Sequence, residues 1–306
     1  MMDKTQLKLL EEVAGIHEVP EGAYSLRVNG NLHGKNSSEN IEILKKEDKP
    51  GIDIYIKAGT KNESLHIPVI LSQTGLKELV YNDFHVGEDC DVTIVAGCGI
   101  HNGGTEDSEH SGIHSFYLAK NARVKYIEKH YGQGDGTGKN VMNPHTHAEL
   151  AENAWMEMET AQIKGVDSTR RKTTAVLSKN ATLVVKEKIM THGTQFAETE
   201  FEVELNGEGA GTHVISRSVA RDTSSQKFVS RIKGNAPCSG HTECDAIIMD
   251  GATVIAVPEI MAVHPDASLI HEAAIGKIAG EQLIKLMTLG LTEKEAEEEI
   301  VNGFLR

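Results

Sequence analysis

The chain is poor in cysteine, in aromatic residues and in basic charge, and each shortage narrows the range of possible functions. Its 306 residues include four Cys, one Trp, six Tyr and six Phe. Four cysteines are too few for a disulfide scaffold in a chain of this length, so we expect reduced thiols. The 45 acidic residues outnumber the 31 basic ones, and the net charge of −14 repels phosphate backbones. We therefore expect no nucleic-acid partner.

Long apolar runs are also missing. Residues 1–8 do not contain the apolar core of a secretory signal. No stretch approaches the roughly 18 apolar residues that a membrane-spanning helix needs. We expect a soluble protein of the cytoplasm, where reducing conditions keep thiols free for metal or sulfur chemistry.

A long series of short strand-like runs begins near Ile52. The clearest is residues 200–205, where acidic and apolar residues alternate strictly before Asn206-Gly207 ends the run. Similar runs lie at residues 182–185, 213–216, 227–232, 245–249 and 253–257. Alternation of this kind predicts strands with one buried and one solvated face.

A turn-forming residue repeatedly precedes alanine between these runs. The pairs are Asn121-Ala122, Asn153-Ala154, Asn180-Ala181, Gly209-Ala210, Asn235-Ala236, Gly251-Ala252 and Asp266-Ala267. Asn, Asp and Gly tolerate the left-handed backbone of tight corners, and alanine fits where successive coils stack closely. The recurrence favours a β-solenoid, and the pattern leaves a β-sandwich as the alternative.

Helical patterns occur at both ends of the chain. Residues 3–15 place Leu7, Leu9, Leu10 and Val13 at the spacing of a short amphipathic helix. At the other end, a first helix is predicted from about His271 to Leu289. A second helix begins with the capping box of residues 292–295 and presents Ile300, Val301 and Phe304. These patterns divide the chain into a helical or irregular segment (1–50), a β core (51–268) and a helical segment (269–306).

Several motifs together resemble the SufB/SufD family of iron–sulfur cluster assembly proteins. They are Ala96-Gly97-Cys98, residues 106–110, 121–126, 257–259, 264–268, 271–278 and 299–304. No single motif is diagnostic, but their order and spacing match the family over roughly residues 65–306. The chain looks like a short form of SufB, because it lacks the large N-terminal part of the longer members.

This resemblance implies a fold, a function and partners. The implied fold is a right-handed parallel β-helix, mainly β, with short helical segments at both ends. The implied function is that of a non-enzymatic scaffold, which accepts sulfur and iron, builds a transient iron–sulfur cluster at a dimer interface and passes it to apo-proteins. A SufC-like ABC-type ATPase would dock on the C-terminal helical segment, and the second subunit would be another copy or a SufD-like paralogue. An unidentified sulfur donor completes the set of partners.

Cys98 is the predicted sulfur acceptor. Its neighbours Gly97 and Gly99 suggest a sterically open thiol, and a thiolate is both a nucleophile for sulfane sulfur and a soft iron ligand. From the sequence alone, a buried structural thiol is the favoured interpretation. The resemblance reverses this preference, since Cys98 matches the Gly-Cys position where SufB-type proteins accept sulfur.

The candidate iron or cluster ligands lie near the C-terminus. His271 and Glu272 match a His-x-Ala motif that the family places at the subunit interface, and Glu281 lies near an acidic position of the family's helix. Where SufB-type proteins have an interface cysteine, this chain has Ala252. Cys244 matches a different SufB-type cysteine and is the candidate replacement ligand.

Other readings of these residues remain open at the level of sequence. Cys238, His241 and Cys244 would suit zinc if the backbone curled, although no second pair of ligands follows nearby. The cluster of His101, His110, His114, Glu106 and Asp107 reads equally well as a solvated loop. Two other functions also remain. A carbohydrate-processing β-solenoid is disfavoured by the shortage of aromatic residues, and a structural ATPase anchor would need no metal chemistry.

Overall fold

The computed structural model describes residues 2–17 and 22–306, which form a parallel β-solenoid with helices at both ends. The helices are α1 (Lys4–Ala14), α2 (Gly280–Thr288) and α3 (Glu293–Phe304). The strands of the first half are β1 (Ala23–Val28), β2 (Asn31–Asn36), β3 (Ile41–Lys45), β4 (Gly51–Ile56), β5 (Lys61–Leu71), β6 (Lys77–Val86), β7 (Asp91–His101), β8 (Ser108–Leu118), β9 (Arg123–Gln133) and β10 (Asn140–Met142). Those of the second half are β11 (His145–Leu150), β12 (Trp155–Lys164), β13 (Ser168–Leu177), β14 (Thr182–Thr191), β15 (Phe196–Leu205), β16 (Gly211–Ala220), β17 (Ser225–Gly234), β18 (Ser239–Ile248), β19 (Thr253–Ala262) and β20 (Ser268–Gly276). None of the helices in these ranges is long and apolar enough to cross a membrane.

The strands stack into two sheets that face each other across the solenoid interior. The first sheet has the order β2-β1-β5-β7-β9-β12-β14-β16-β18-β20. The second has the order β19-β17-β15-β13-β10-β8-β6-β4-β3, and β11 also pairs with β8 and β13. From β5 in the first sheet and β4 in the second, neighbouring strands run parallel. The predicted mainly-β solenoid is therefore confirmed.

Asparagine residues form the corners of the coils, as the sequence pattern predicts. Asn121, Asn153 and Asn180 have left-handed backbone, with φ values of 60°, 59° and 55°. Asn153 Nδ2 donates a hydrogen bond to Asn121 Oδ1 at 3.0 Å, and Asn180 Nδ2 donates one to Asn153 Oδ1 at 3.1 Å. The alanines that follow these three residues are buried. The left-handed corner is thus confirmed at these three positions and at Gly209, where φ is 74°, whereas Asn235, Gly251 and Asp266 do not have left-handed backbone.

The N-terminal segment contains more regular structure than the sequence indicates. Helix α1 follows a capping box between Asp3 and Gln6 and buries Leu9, Leu10 and Val13. Strands β1, β2 and β3 then fill part of the segment predicted to be helical or irregular, so that prediction holds only for α1. The solenoid begins with these strands because β1 pairs in parallel with β5 and β3 pairs antiparallel with β4.

The boundary at the C-terminal end is also different from the prediction. His271 does not begin a helix but lies in β20, which pairs with β18 from Ser268 to Gly276. Helix α2 begins nine residues later, at Gly280. Glu272 and the alanines after it favour a helix locally, but pairing with a complete neighbouring strand outweighs a propensity of a few tenths of a kcal/mol per residue. The capping box at Thr292 is confirmed.

Candidate functional site

Cys98 points into the solenoid from β7 and is 1% exposed. Its flanking glycines point the other way, towards α1. A Cβ atom on Gly97 would lie 2.9 Å from Val13 Cβ, and one on Gly99 would lie 3.0 Å from Leu9 Cβ. The prediction of a sterically open thiol is therefore wrong, because the glycines make room for the helix and not for access to the sulfur.

A small polar cavity adjoins the Cys98 thiol. Its volume of about 10 Å³ is close to the minimum for one water molecule. Burial, together with the negative charges of Glu78 and Glu128, raises the pKa of Cys98 well above its usual value. Burial likewise lowers the pKa of His114 to about 4, so this imidazole is neutral at physiological pH. Side chains that line the cavity include those of Asn82, His110, His114, Glu128 and His130.

His110 and His114 thus lie inside the protein and not in a solvated loop. His114 Nδ1 shares a hydrogen bond with the Tyr126 hydroxyl at 2.7 Å, and His114 Nε2 lies 3.3 Å from Asn82 Nδ2. His110 Nδ1 lies 3.7 Å from Glu78 Oε2. Strand β8 places both histidines inward because they occupy alternate positions of the same strand.

A buried charged network continues from this cavity along the interior. Arg171 lies between Glu128 and Glu187. It contacts Glu128, and the distance from Arg171 Nε to Glu187 Oε2 is 3.9 Å. Burial alone would raise the pKa of Glu128, but the charges of Arg171 and His130 outweigh it and hold that pKa well below its usual range. For Glu187 burial prevails, and its pKa is raised despite the charge of Arg171 and a hydrogen bond from Ser216.

Strand register extends these groups into one interior row. Glu128 on β9 is paired with Thr160 on β12, and Thr160 is paired with Glu187 on β14. Glu187 is then paired with Ser216 on β16, and Ser216 with Cys244 on β18. We call these five side chains the interior polar row. A second cavity of about 10 Å³ adjoins it near Glu187 and Ser216.

Cys244 stands at the far end of the interior polar row and is 2% exposed. Burial, with smaller contributions from the charges of Glu187 and Asp245, raises its pKa to about 12. Five strand spacings separate β7 from β18, so Cys98 and Cys244 lie about 24 Å apart along the solenoid. The zinc reading of Cys238, His241 and Cys244 is wrong, because β18 is extended and directs His241 outward and Cys244 inward.

His271 lies close to Cys244 in the final coil. It is the register partner of Thr242, and Cys244 is the partner of Ala273, so the two candidate ligands occupy adjacent inward positions of β20 and β18. Standard strand dimensions place their Cα atoms about 8 Å apart. Burial, assisted by the charge of His241, lowers the pKa of His271, and its Nδ1 atom is buried without a hydrogen-bond partner among the described residues. The imidazole is therefore available as a neutral ligand.

The remaining predicted ligands do not share this interior position. Glu272 points outward from β20, with a side chain that is 67% exposed, and its Oε2 lies 3.5 Å from His241 Nε2. Glu281 is exposed in the first turn of α2 and forms no hydrogen bond or ion pair within the described ranges. Ala252 is buried in the corner before β19. The structure thus brings together Cys244 and His271, with Glu272 on the opposite face of the same strand.

An outward cluster that the sequence does not reveal lies beside Glu272. His213 on β16 and His241 on β18 are register partners, and their rings stack at 4.9 Å between centroids. His213 Nε2 lies 2.7 Å from Glu243 Oε1, and His241 Nδ1 lies 3.6 Å from the same oxygen. We call His213, His241 and Glu243 the outer cluster.

Sequence reasoning also missed the charged residues of the interior, although a signal for some of them was present. In β9, Val124 and Tyr126 occupy inward positions, and the same alternation makes Glu128 inward. In β14, the apolar Leu183 and Val185 assign Glu187 to the interior in the same way. The outer cluster has no such signal, because it depends on the register between strands.

Comparison with known proteins gives consistent results. A family model described as "SUF system FeS cluster assembly, SufBD core domain" matches residues 78–304. An iron–sulfur cluster assembly SufBD family protein of Archaeoglobus fulgidus is 30% identical over 278 residues, covering 89% of this chain and 72% of the relative. One from Methanocaldococcus jannaschii is 28% identical over 268 residues, covering 87% of this chain and 84% of the relative. One from Pyrococcus horikoshii is 26% identical over 279 residues, covering 89% of this chain and 83% of the relative. The region matched by the family model contains all the predicted site residues and the outer cluster.

Proposed function

Because this chain belongs to the SufB/SufD family of iron–sulfur cluster assembly proteins, we propose that it is a scaffold subunit on which a nascent cluster is built. Sulfur is accepted at Cys98, and iron binds near His271 and Glu272. Cys244 supplies the thiolate that Ala252 cannot provide. The finished cluster passes to apo-proteins. The free thiols suit a reducing compartment, and we assign the protein to the cytoplasm on that basis.

The interior polar row is the observation that carries this proposal. An ordinary solenoid interior is filled by apolar side chains, and burying charged groups there is costly. This interior nevertheless retains Glu128 and Glu187 between the predicted sulfur acceptor and the predicted ligands, with small cavities beside both carboxylates. A row of polar groups with small cavities beside it can relay protons from the region of Cys98 towards the final coil, which an apolar core could not do.

Burial of both thiols implies that the scaffold works through an opening motion. A thiol with a raised pKa is a poor nucleophile and a poor metal ligand until water or a cation reaches it. The closed conformation therefore protects Cys98 and Cys244, and the ATPase cycle of the partner supplies the opening. This requirement makes the protein a scaffold whose activity depends on its partner, and not an enzyme by itself.

The exposed edge strands of the final coil are suited to bind a second subunit at this site. Strands β19 and β20 are the edge strands of their sheets, each paired on one side among the described residues. Ile255, Met261 and Ile270 on these strands are 55%, 57% and 50% exposed. An exposed apolar edge strand is a ready template for pairing with another chain. A second copy, or a SufD-like paralogue, would cover this edge and enclose His271, and a homodimer is the simpler arrangement.

The C-terminal helices support docking of a SufC-like ABC-type ATPase. Helix α3 is anchored on the solenoid, because Val301 and Leu305 pack against Val219. Helix α2 has no buried residue, and its Ile284 and Met287 are 63% and 42% exposed. An anchored helix that holds a second, apolar helix in solvent suits the binding of a partner protein. The carbohydrate-processing alternative has no support from the family assignment.

Anaerobic reconstitution tests the proposal. The chain, together with the SufC-like ATPase and ATP, is supplied with ferrous iron, a persulfide donor and a reductant that converts the persulfide sulfur to sulfide, and iron and acid-labile sulfide per chain are measured. We expect cluster formation by the native chain and its loss in Cys98→Ser, Cys244→Ser and His271→Ala. Cys90→Ser is the matched control, since Cys90 is equally buried but lies at a corner outside the site. Full cluster formation in all three variants would favour a structural ATPase anchor instead.

A further inference from the structure

The geometry points to the outer cluster as a binding site for a divalent transition metal. Ferrous iron is the metal that we expect it to bind. The three residues supply two imidazole nitrogens and one carboxylate oxygen, and their potential ligand atoms all lie within 4.8 Å of one another. Two histidines and one carboxylate with open positions are the donor set of non-haem ferrous sites. No thiolate takes part, so the site differs chemically from the predicted cluster site inside the solenoid.

The distances within the outer cluster are close to those of a coordination shell. A metal bonded to N and O at about 2.1 Å has neighbouring ligand atoms about 3.0 to 3.4 Å apart. His213 Nε2 and Glu243 Oε1 are 2.7 Å apart, and His241 Nδ1 and Glu243 Oε1 are 3.6 Å apart. The two rings are parallel within 3°, so one must rotate about its Cβ–Cγ bond to direct its nitrogen at a shared ion. That rotation is open to half-exposed side chains.

Strand register brings a second carboxylate to the same place. Glu243 on β18 and Glu272 on β20 are register partners, and both point outward. Like charges on directly neighbouring strands destabilise a sheet, and a cation between them removes that repulsion. His241 Nε2 lies 3.5 Å from Glu272 Oε2 and is buried without a hydrogen-bond partner among the described residues. The outer cluster therefore has unused donor capacity beside Glu272.

The position of Glu272 suggests what the metal is for. Successive residues of a strand point to opposite faces, so Glu272 lies beside the outer cluster while His271 faces the interior near Cys244. This interpretation rests on the proposed function. If the final coil builds clusters, the outer cluster is an iron-loading site, from which Glu272 passes ferrous iron across the edge strand.

Anaerobic titration with cobalt(II) tests the site itself. We expect one cobalt to bind per chain, with weak ligand-field bands and no thiolate-to-cobalt charge-transfer band, because all donors are N and O. His213→Ala, His241→Ala and Glu243→Gln should each weaken binding by more than about tenfold. His147→Ala is the matched control: His147 is a half-exposed outward histidine that lies 3.3 Å from Glu149, and it belongs to no group of three potential metal ligands among the described residues. Equal binding by all four variants and the native chain would overturn the site.

The iron-loading role has a separate readout. With limiting ferrous iron, Glu243→Gln should build clusters more slowly than the native chain, and excess iron should restore the rate. An unchanged rate at limiting iron, in a variant that has lost cobalt binding, would overturn the loading role. If the native chain builds no cluster but binds cobalt through these residues, the metal site stands and the proposed scaffold function fails.

Discussion

Replacing Arg171 with methionine should destabilise the solenoid more than any surface change, because it leaves two buried carboxylates without their cation. The side chains of Arg171, Glu128 and Glu187 are 5%, 3% and 1% exposed. Removing one partner of a buried ion pair costs about 3–5 kcal/mol. Tyr126 donates a hydrogen bond to Glu128 at 3.1 Å and Ser216 donates one to Glu187 at 2.8 Å, so some stabilisation remains. We therefore expect a loss of about 3 kcal/mol in the free energy of unfolding at neutral pH.

This loss should increase with pH. In the native chain, the folded-state pKa of Glu128 is depressed below its usual value of 4.5, so its contribution to stability is present above that pH and disappears in acid. Without Arg171, burial dominates and raises the folded-state pKa of Glu128 above the unfolded value. A carboxyl group of that kind stabilises the protein at low pH and loses its contribution as pH rises through the raised pKa. Glu187, whose pKa is already raised, shifts in the same direction.

Urea unfolding followed by Trp155 fluorescence measures both the loss in the free energy of unfolding and its increase with pH. Trp155 is the single tryptophan and lies on β12, next to the strand that carries Glu128. A local probe is appropriate, because the stability of a solenoid is roughly a sum over its coils. Arg170→Met is the matched control, since Arg170 is the outward neighbour, 73% exposed, and its surface ion pair contributes at most about 1 kcal/mol.

Two results would refute the reasoning. One is a loss in Arg171→Met no greater than that in Arg170→Met. The other is a loss that stays constant, or decreases, between about pH 5 and pH 8. The double variant Arg171→Met/Glu128→Gln should recover part of the loss, because it no longer buries an unpaired charge at Glu128.

Three further predictions concern the corners, the helices and the thiols. Asn153→Ala should cost about 1–2 kcal/mol in thermal unfolding, because alanine is strained at φ 59°, whereas Asn153→Gly should cost less; equal losses would contradict the backbone explanation. Ile284→Glu and a truncation ending at Gly290 should each weaken ATPase binding by more than about tenfold in calorimetry, whereas the control Gln282→Glu should not. Unchanged affinity in Ile284→Glu would exclude the α2 face as the docking surface. In the folded chain without partners, Cys98 and Cys244 should resist alkylation at about pH 8, because burial raises the pKa of both thiols, and both should react after unfolding. Mass spectrometry follows the labelling, and rapid labelling of either thiol in the folded chain would contradict its burial.

Features that depend on local chemistry could be predicted from the sequence. The corners at Asn121, Asn153 and Asn180 follow from the backbone freedom of asparagine, and the α3 capping box follows from Thr292 and Glu295. The strict alternation of β15 likewise gave its buried and solvated faces correctly.

Features that depend on neighbouring coils could not be predicted in this way. The segment from His271 to Gly276 has a helical composition but becomes a strand, because β18 offers it a complete pairing edge. The glycines beside Cys98 suggested an open thiol, but their space is occupied by α1, whose position is not encoded near them. His213 and Glu243 are 30 residues apart in the chain and meet only through strand register.

The most direct test of the scaffold account is Mössbauer spectroscopy of the chain in the presence of its ATPase partner. The chain is loaded anaerobically with isotopically enriched ferrous iron, a persulfide donor and a reductant that converts the persulfide sulfur to sulfide. The account predicts a sulfide-bridged iron signal in the native chain. The same signal should be absent from the double variant Cys244→Ser/His271→Ala and retained in Cys90→Ser. A native chain without bridged iron, or a double variant with an unaltered spectrum, would contradict the claim that the final coil holds the nascent cluster.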